Sequence, residues 1–569
     1  MPERILAIDI ETTGLTYSDK LLVVSVAWRD EGGDVRGEAL NVGMRDLFNS
    51  PCTTPQLFGW LRDLTKSRDW LAFHNAGFDL PYLLRIGVLN EDLCQGRIFD
   101  TMVTARYTDS RESVSLSKLC DRYGIGTDQW RGMKGKRKKL GKLSADVVLE
   151  YGTNDAINTL LLAEQIHKEA TSLYSKEWLQ AEGDFILLIA QMRVSGIAID
   201  LPAIARITEE QNAELDTINN RLMSVQILGA TDNKKLRLYL LSQECLLEEK
   251  TSTGRDKLDE GVLREIQAYH QGEVASVITD VLRGRHIRKS LSTWLDGLRD
   301  QADDNGRVHP LFVPGGTVSG RLTCQYPNAQ AIPRTMKLFA PGKRTKALVS
   351  LDYAQAELRL ASMYAGETAM AKIFTDPNAD PHLETARIMY GDEKAKEYRF
   401  RGKRANFAVL YGIGARSLAA TSGLTIKQAK EVMELHRQRF PRFAQVTKSA
   451  ESRWVERGYL VVSSGRRLFA SPFDIKHRSY KAFNQLIQGS VACVMQTAML
   501  GIHAQIPEAR IVSQVHDSIV LEVLSGDIDD VCRRAVAIME TAVPERILKM
   551  VSPRIPMNVD IKLDVTEEE

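Results

Sequence analysis

Two apolar runs of strand length open the chain, residues 5–10 (ILAIDI) and 21–28 (LLVVSVAW), separated by a turn at Thr12-Thr13-Gly14. Up to about residue 170, strand-like and helix-like patterns mix, which predicts an α/β domain. From about 171 to 305 apolar residues recur three and four apart, as in Phe185, Leu188, Ile189 and Met192, with breaks at Val194-Ser195-Gly196 and near Gly254. That spacing predicts a mainly helical region. Beyond Pro310, strand patterns return at 347–351, 459–463 and 511–523 with helical stretches between them. The expectation is an α/β multidomain chain divided at 1–170, 171–305 and 306–569, without internal repeats or low-complexity tracts.

Length and composition narrow the class. The 569 residues correspond to roughly three or four domains at about 150 each. Lys plus Arg total 75 against 73 Asp plus Glu, a net charge of +2, with 44% hydrophobic and 26% charged residues. This excludes disorder, collagen and a uniformly basic nucleic-acid coat, but not a nucleic-acid enzyme, because local charge decides where a polyanion sits. The seven cysteines (52, 94, 120, 245, 324, 493 and 532) are odd in number and contain no Cys-x-x-Cys pair, so free thiols in a reducing compartment are expected, not zinc. The N-terminus runs directly into a strand and apolar runs such as 185–190 fall short of the ~18 residues of a membrane span, so a cytoplasmic chain without signal peptide or membrane contact is expected. One charge run stands out: Arg131, Lys134, Lys136, Arg137, Lys138, Lys139 and Lys142, with no acid among them. It is either a solvated loop or a phosphate contact.

Asp9 and Glu11 are two apart on the opening strand and so face the same side. Two carboxylates on one face repel unless a cation lies between them; alternatively an edge strand simply displays solvated acids. Asp79 follows in His74-Asn75-Ala76-Gly77-Phe78-Asp79, and Tyr151 and Asp155 lie one helical turn apart, so a phenol and a carboxylate converge on one face. With these three motifs in order, residues 1–170 resemble the proofreading 3′–5′ exonucleases of ribonuclease-H-like fold. The resemblance implies that Asp9, Glu11, Asp79 and Asp155 hold two divalent cations and that Tyr151 orients the attacking water. Hard oxygen ligands suit Mg²⁺ or Mn²⁺ independently of that likeness.

A second set of residues lies further on. A short apolar strand leads to Asp352, followed by Tyr353-Ala354-Gln355-Ala356-Glu357-Leu358-Arg359, and residues 511–523 alternate about His516-Asp517 in a hairpin pattern without an Asn-Gly turn. Between them Arg399, Lys403, Phe407 and Tyr411 recur every four residues, so two cations and then two rings share one helical face. Such an order suits a nucleotide, with triphosphate at the cationic end and base at the aromatic end.

These segments are similar to motifs A, B and C of the family-A DNA polymerases, supported by Ser319-Gly320-Arg321-Leu322, Pro327-Asn328-Ala329-Gln330, Gly465-Arg466-Arg467-Leu468 and Asn484-x3-Gln488-Gly489. The resemblance spans nearly the whole chain and implies a right-hand polymerase domain: a thumb over 171–305, then a palm with fingers inserted at about 366–480. It implies that Asp352 and Asp517 carry two Mg²⁺ ions, that Lys403 protonates the leaving group, and that Gln355, His382, Arg399, Lys403, Phe407 and Tyr411 surround the dNTP, with Glu357 a steric gate against ribose. Arg321, Asn328, Gln330, Asn484, Gln488 and His516 would then touch primer-template DNA, with Lys234, Lys235, Arg237, Arg283, Arg285, Arg288 and Lys289 offered to duplex phosphates. A monomer is expected, with a processivity factor, helicase or primase as candidate partners.

Two departures accompany the likeness. Ser518 stands where many relatives have a second acid, which puts metal affinity in question. The chain also begins at the exonuclease strand, so the 5′-nuclease of bacterial polymerase I is expected to be absent, as in phage replicases. Two rival readings are a stand-alone exonuclease whose C-terminal part clamps DNA and a non-catalytic replication scaffold.

Overall fold

The computed structural model describes residues 3–44, 51–109, 113–126, 137–247, 249–251, 253–343, 345, 347–376 and 378–565. Of the basic run, Arg131, Lys134 and Lys136 lie outside the described residues, and Lys142 closes a 3-10 turn, Arg137–Lys142. The chain forms two compact units: Met1–Gly196 with His309–Gln330 and Pro341–Glu569, and Ile197–Val308 with Ala331–Ala340.

The first unit holds two sheets. One has the order β3-β2-β1-β4-β5, with β1 Ile5–Thr12, β2 Leu21–Arg29, β3 Val35–Asn41, β4 Trp70–Phe73 and β5 Ile98–Asp100. β1 and β2 pair antiparallel, as do β2 and β3, while β1–β4 and β4–β5 are parallel. Apolar residues of β1 are buried on both faces up to Ile8, after which Asp9 and Glu11 are only half-buried. Helix α1, Ala76–Arg85, follows β4, and helix α2, Ala145–Leu173, packs across β1, β2 and β3. Gly152 makes the second contact possible, since a Cβ there would meet Ser25 Oγ at 2.5 Å. Helix α3, Lys176–Ser195, packs on α1 and β5.

The other sheet runs β7-β8-β6-β9, all antiparallel: β6 Ala347–Tyr353, β7 Ala509–Val515, β8 Ser518–Val523 and β9 Val559–Val565. Helices α4 Ala356–Ala365, α5 Pro381–Tyr390, α6 Arg399–Leu410, α7 Ile426–Arg439 and α8 Ala482–Gln505 lie between β6 and β7. The two sheets belong to one unit, and buried polar groups join their surroundings. Arg466 is 1% exposed, donates to the Ser319 carbonyl at 3.0 Å, and lies 5.0 Å over the Tyr107 ring. Gln496 donates to the buried Glu182 carboxylate at 2.9 Å.

Among the described residues the helical run Pro472–Gln505 contains an 18-residue stretch of mean hydropathy 1.2, long and apolar enough to cross a membrane by length and composition. Inside the protein 67% of that stretch is buried, the position of a core helix.

The second unit is helical, with Leu201–Ser224, Asn233–Ser242, Glu260–Tyr269 and Glu273–Lys289 around a core that includes Ile218, Leu222, Leu263, Ile278 and Val281. A two-residue strand pair, Ile197–Ala198 with Arg307–Val308, closes its ends. Several of its cations are occupied internally. Arg283 pairs with Glu214 at 2.6 Å, Arg285 donates to the Leu258 and Ala230 carbonyls at 2.6 and 3.1 Å, and Arg237 pairs with Asp256. Lys234 and Lys235 are exposed. All seven cysteines are free thiols.

Candidate active sites

On the first sheet, β1 and α2 bring three acids together. Ligand oxygens of Asp9, Glu11 and Asp155 lie within 4.8 Å of one another. The pleat puts Asp9 and Glu11 on one face, and Gly152 seats the helix that brings Asp155 over them. Asp79 stands outside that set. It lies on α1, and where the β1–β4 pairing has ended at Ala7 its Oδ1 takes the Ile10 N–H at 3.2 Å. Burial pushes the Asp79 carboxyl well above its ordinary range. Tyr151 is 2% exposed, packed in an apolar cluster with Leu22, Val23, Leu140 and Val148.

The turn carrying Asp79 is fixed by an acid the sequence did not single out. Asp100 is buried at the end of β5, where it accepts the N–H groups of Met102 and Val103 at 2.9 and 3.0 Å, capping the helix Thr101–Thr108. The same carboxylate takes Asn75 and Ala76 N–H at 3.2 and 2.6 Å, holding Asn75 left-handed (φ 76) where α1 begins. Only a contact across 24 residues reveals that role.

On the second sheet Asp352 and Asp517 meet. Asp352 is in register with Ser518 of β8, and Asp517 occupies the two-residue turn between Val515 and Ser518. The Tyr353 N–H donates to the Asp517 carbonyl at 3.1 Å. Burial, and then the Asp352 charge beside it, push the Asp517 carboxyl up to about 6. Two carboxyls so close share a proton or hold a cation. Non-glycine residues in the left-handed region flank both acids, Gln355 and His516 each at φ 56. Gln355 Oε1 is buried without a hydrogen-bond partner among the described residues. Ser518 is fully buried with its hydroxyl 3.0 Å from Ser350 Oγ, so that position serves strand packing. Asp560 of β9 is in register with Asp352 on its other flank and is exposed.

Helix α6 presents the expected face. Lys403 is exposed with Nζ 5.9 Å from the Phe407 ring, and Phe407 stacks on Tyr411 at 5.6 Å and 14°. Arg399 donates to Asp380 at 2.6 Å, and the other oxygen of Asp380 caps α5 through His382 N–H at 2.7 Å. His382 is 3% exposed, and burial pushes its imidazole down to about 4, so it is neutral at pH 7. Tyr411 Oη donates to Glu357 at 2.7 Å, and Arg321 pairs with the other Glu357 oxygen. Burial, then the Glu357 charge, push the Tyr411 phenol up. Gln330 donates to the Gln514 carbonyl at 2.9 Å, and with Arg321, Gln514 and His516 lines one small cavity. Asn484 and Gln488 are half-buried, one turn apart on α8, whereas Asn328 is exposed. The sequence did not single out Gln514, Thr385, Asn406 or His436; each is a polar residue in an apolar pattern, which is the only local signal it offers.

Comparison with known proteins agrees along the chain. The family model described as DNA polymerase family A matches residues 202–567, and that of a 3′–5′ exonuclease matches 3–171. DNA polymerase I of Bacillus caldotenax is 25% identical over 539 residues, covering 89% of this chain and 58% of the relative. DNA polymerase I of Lactococcus lactis subsp. lactis (strain IL1403) is 28% identical over 475 residues, 78% of this chain and 53% of the relative. The chain thus spans a little over half the length of these curated relatives. Among solved structures, the polymerase domain of Pol1 from M. smegmatis, in complex with DNA primer-template and dNTP, has a TM-score of 0.78 at 21% identity, covering 99% of this chain and 96% of that one. At that identity the likeness concerns the fold.

Proposed function

The chain belongs to DNA polymerase family A, with a 3′–5′ exonuclease domain ahead of the polymerase domain, and from that premise we propose that it is a template-directed DNA polymerase that proofreads its own product. The observation that carries the polymerase reading is the Asp352–Asp517 pair beside a helix face that changes from cation to ring along its length. The donor sets are all carboxylate oxygens, which fit Mg²⁺ or Mn²⁺: Asp352 and Asp517 would hold the ions of one centre, and Asp9, Glu11 and Asp155, with Asp79 beside them, those of the other. When bound, such ions favour deprotonation of the attacking hydroxyl or water and offset charge on the leaving group.

In synthesis the primer 3′-hydroxyl gives its proton to solvent water, its oxygen forms a bond to the α-phosphorus of a dNTP, the bond to the bridging oxygen breaks, and pyrophosphate leaves. Lys403, exposed on α6, supplies the proton that pyrophosphate takes up, and Arg399 and His382 bind phosphate oxygens with it. Phe407 and Tyr411 stack along sugar and base, and Glu357, held by Tyr411 and Arg321, fills the space a ribose 2′-hydroxyl needs. Arg321, Gln330, Gln488 and His516 face the primer end and its minor groove, where acceptors are alike for every correct pair. Thumb, palm and fingers correspond in this reading to the helical second unit, the second sheet, and the helices within about 366–480, α5 to α7 among them.

A labelled primer on a template tests the reading. With dNTPs and Mg²⁺ it lengthens, and without dNTPs it shortens. Shortening under both conditions refutes the polymerase and leaves an exonuclease with a DNA clamp.

A further inference from the structure

Asn406 lies on α6 between Lys403 and Phe407 and is 1% exposed. Every polar atom of its side chain is used. Nδ2 donates to the Pro381 carbonyl at 3.3 Å and to His382 Nδ1 at 3.1 Å. Oδ1 lies 3.0 Å from Thr385 Oγ1 and 3.0 Å from His436 Nε2. A carbonyl can only accept, so Pro381 fixes which end of the amide is nitrogen. Two imidazoles then have their tautomers assigned. His382 Nδ1 faces an N–H and must be bare, which puts its proton on Nε2. His436 Nε2 faces an amide oxygen and must carry the proton.

Burial pushes both rings down to about 4, so each is neutral at pH 7 with one proton to place. The close approach of the two helices is built in. A Cβ on Gly402 would meet the His382 carbonyl oxygen at 2.1 Å and the Ala386 nitrogen at 2.9 Å, so only glycine lets α6 lie this near α5. Among the described residues His382 Nε2 has no hydrogen-bond partner, which leaves its N–H as the ring's free donor.

We propose that Asn406 is a positioning residue for nucleotide binding: it locks His382 in the Nε2–H form, so the ring offers a neutral donor to a triphosphate oxygen. The other tautomer would point a lone pair at an anion. Thr385 and His436 act one step further back by holding the amide that makes the choice. This rests on His382 being a triphosphate contact, as proposed above.

The test uses the full chain with ¹⁵N-labelled histidine, the His382 signals being assigned by their loss in His382→Ala. In the wild type, Nδ1 should have the shift of a bare nitrogen and Nε2 that of a protonated one. Asn406→Leu should give averaged shifts and raise the dNTP KM in primer extension about tenfold, the worth of one charge-assisted hydrogen bond, with a smaller change in kcat. In a His382→Ala background, Asn406→Leu should add nothing to KM. If Asn406→Leu does not fold, His436→Phe, which removes one donor to Oδ1 and keeps a ring, should move the His382 shifts the same way. Unchanged shifts, or a second tenfold KM rise in the His382→Ala background, overturn the proposal. If His382→Ala itself leaves the dNTP KM unchanged, the triphosphate reading fails and the proposal falls with it.

Discussion

Replacing Asp517 with asparagine should stabilise the metal-free protein while ending synthesis. The carboxyl rises from 3.8 to about 6 because it is buried and faces Asp352 and Glu357. An acid whose folded value is raised favours the folded state fully below its unfolded value, and the benefit is lost as pH climbs through the folded one. In that reference, ionised Asp517 above pH 6 costs about 3 kcal/mol of folding free energy without a cation. Asp517→Asn removes that cost, less whatever hydrogen bonding the carboxylate made. One kcal/mol moves Tm by about 2–4 °C even in a domain of 150–250 residues, and by less in a larger unit, so a rise of roughly 3 °C is expected. The assay is thermal unfolding in EDTA at pH 7.5 and pH 4.5, repeated with Mg²⁺ at pH 7.5. The variant should melt higher than the wild type at pH 7.5, the gap should shrink at pH 4.5, and Mg²⁺ should raise the wild type more than the variant. A variant that melts lower in EDTA at pH 7.5, or gains as much from Mg²⁺, refutes the electrostatic account of the pair.

Asp9→Ala should abolish degradation of single-stranded DNA and leave primer extension intact; degradation at the wild-type rate contradicts the carboxylate set at β1 and α2. Gly402→Ala forces a methyl against the His382 carbonyl and should cost about 2 kcal/mol of stability in urea denaturation and raise the dNTP KM; an unshifted midpoint contradicts the close helix contact. Tyr411→Phe removes the hydrogen bond to the Glu357 carboxylate and should lower stability by about 1.5–3 kcal/mol, read from the same curves.

Where chemistry follows the local period, the sequence carries it. Asp9 and Glu11 share a face because a strand alternates, Tyr151 and Asp155 because a helix turns, and the Arg399 to Tyr411 face because four-residue steps drift slowly around a helix. Contacts made across the fold leave no such mark. Asn406 reaches His382 and His436 over 24 and 30 residues, and Asp100 reaches Ala76 over 24. Arg283 and Arg285 are positive in the sequence like any DNA contact, yet one pairs with Glu214 and the other with backbone carbonyls. Ser518 showed that an acid was missing; only the register showed that its hydroxyl bonds Ser350 and that Asp560 stands on the far side of Asp352.

Single-nucleotide addition tests the central claim most directly. A labelled primer on a template with one defined next base is given each dNTP separately, with Mg²⁺, for the wild type, Asp9→Ala and Asp352→Asn. The account predicts that the wild type and Asp9→Ala add only the complementary nucleotide, and that Asp352→Asn adds none yet still shortens the primer. Addition by Asp352→Asn at the wild-type rate, or addition indifferent to the template base, would contradict it.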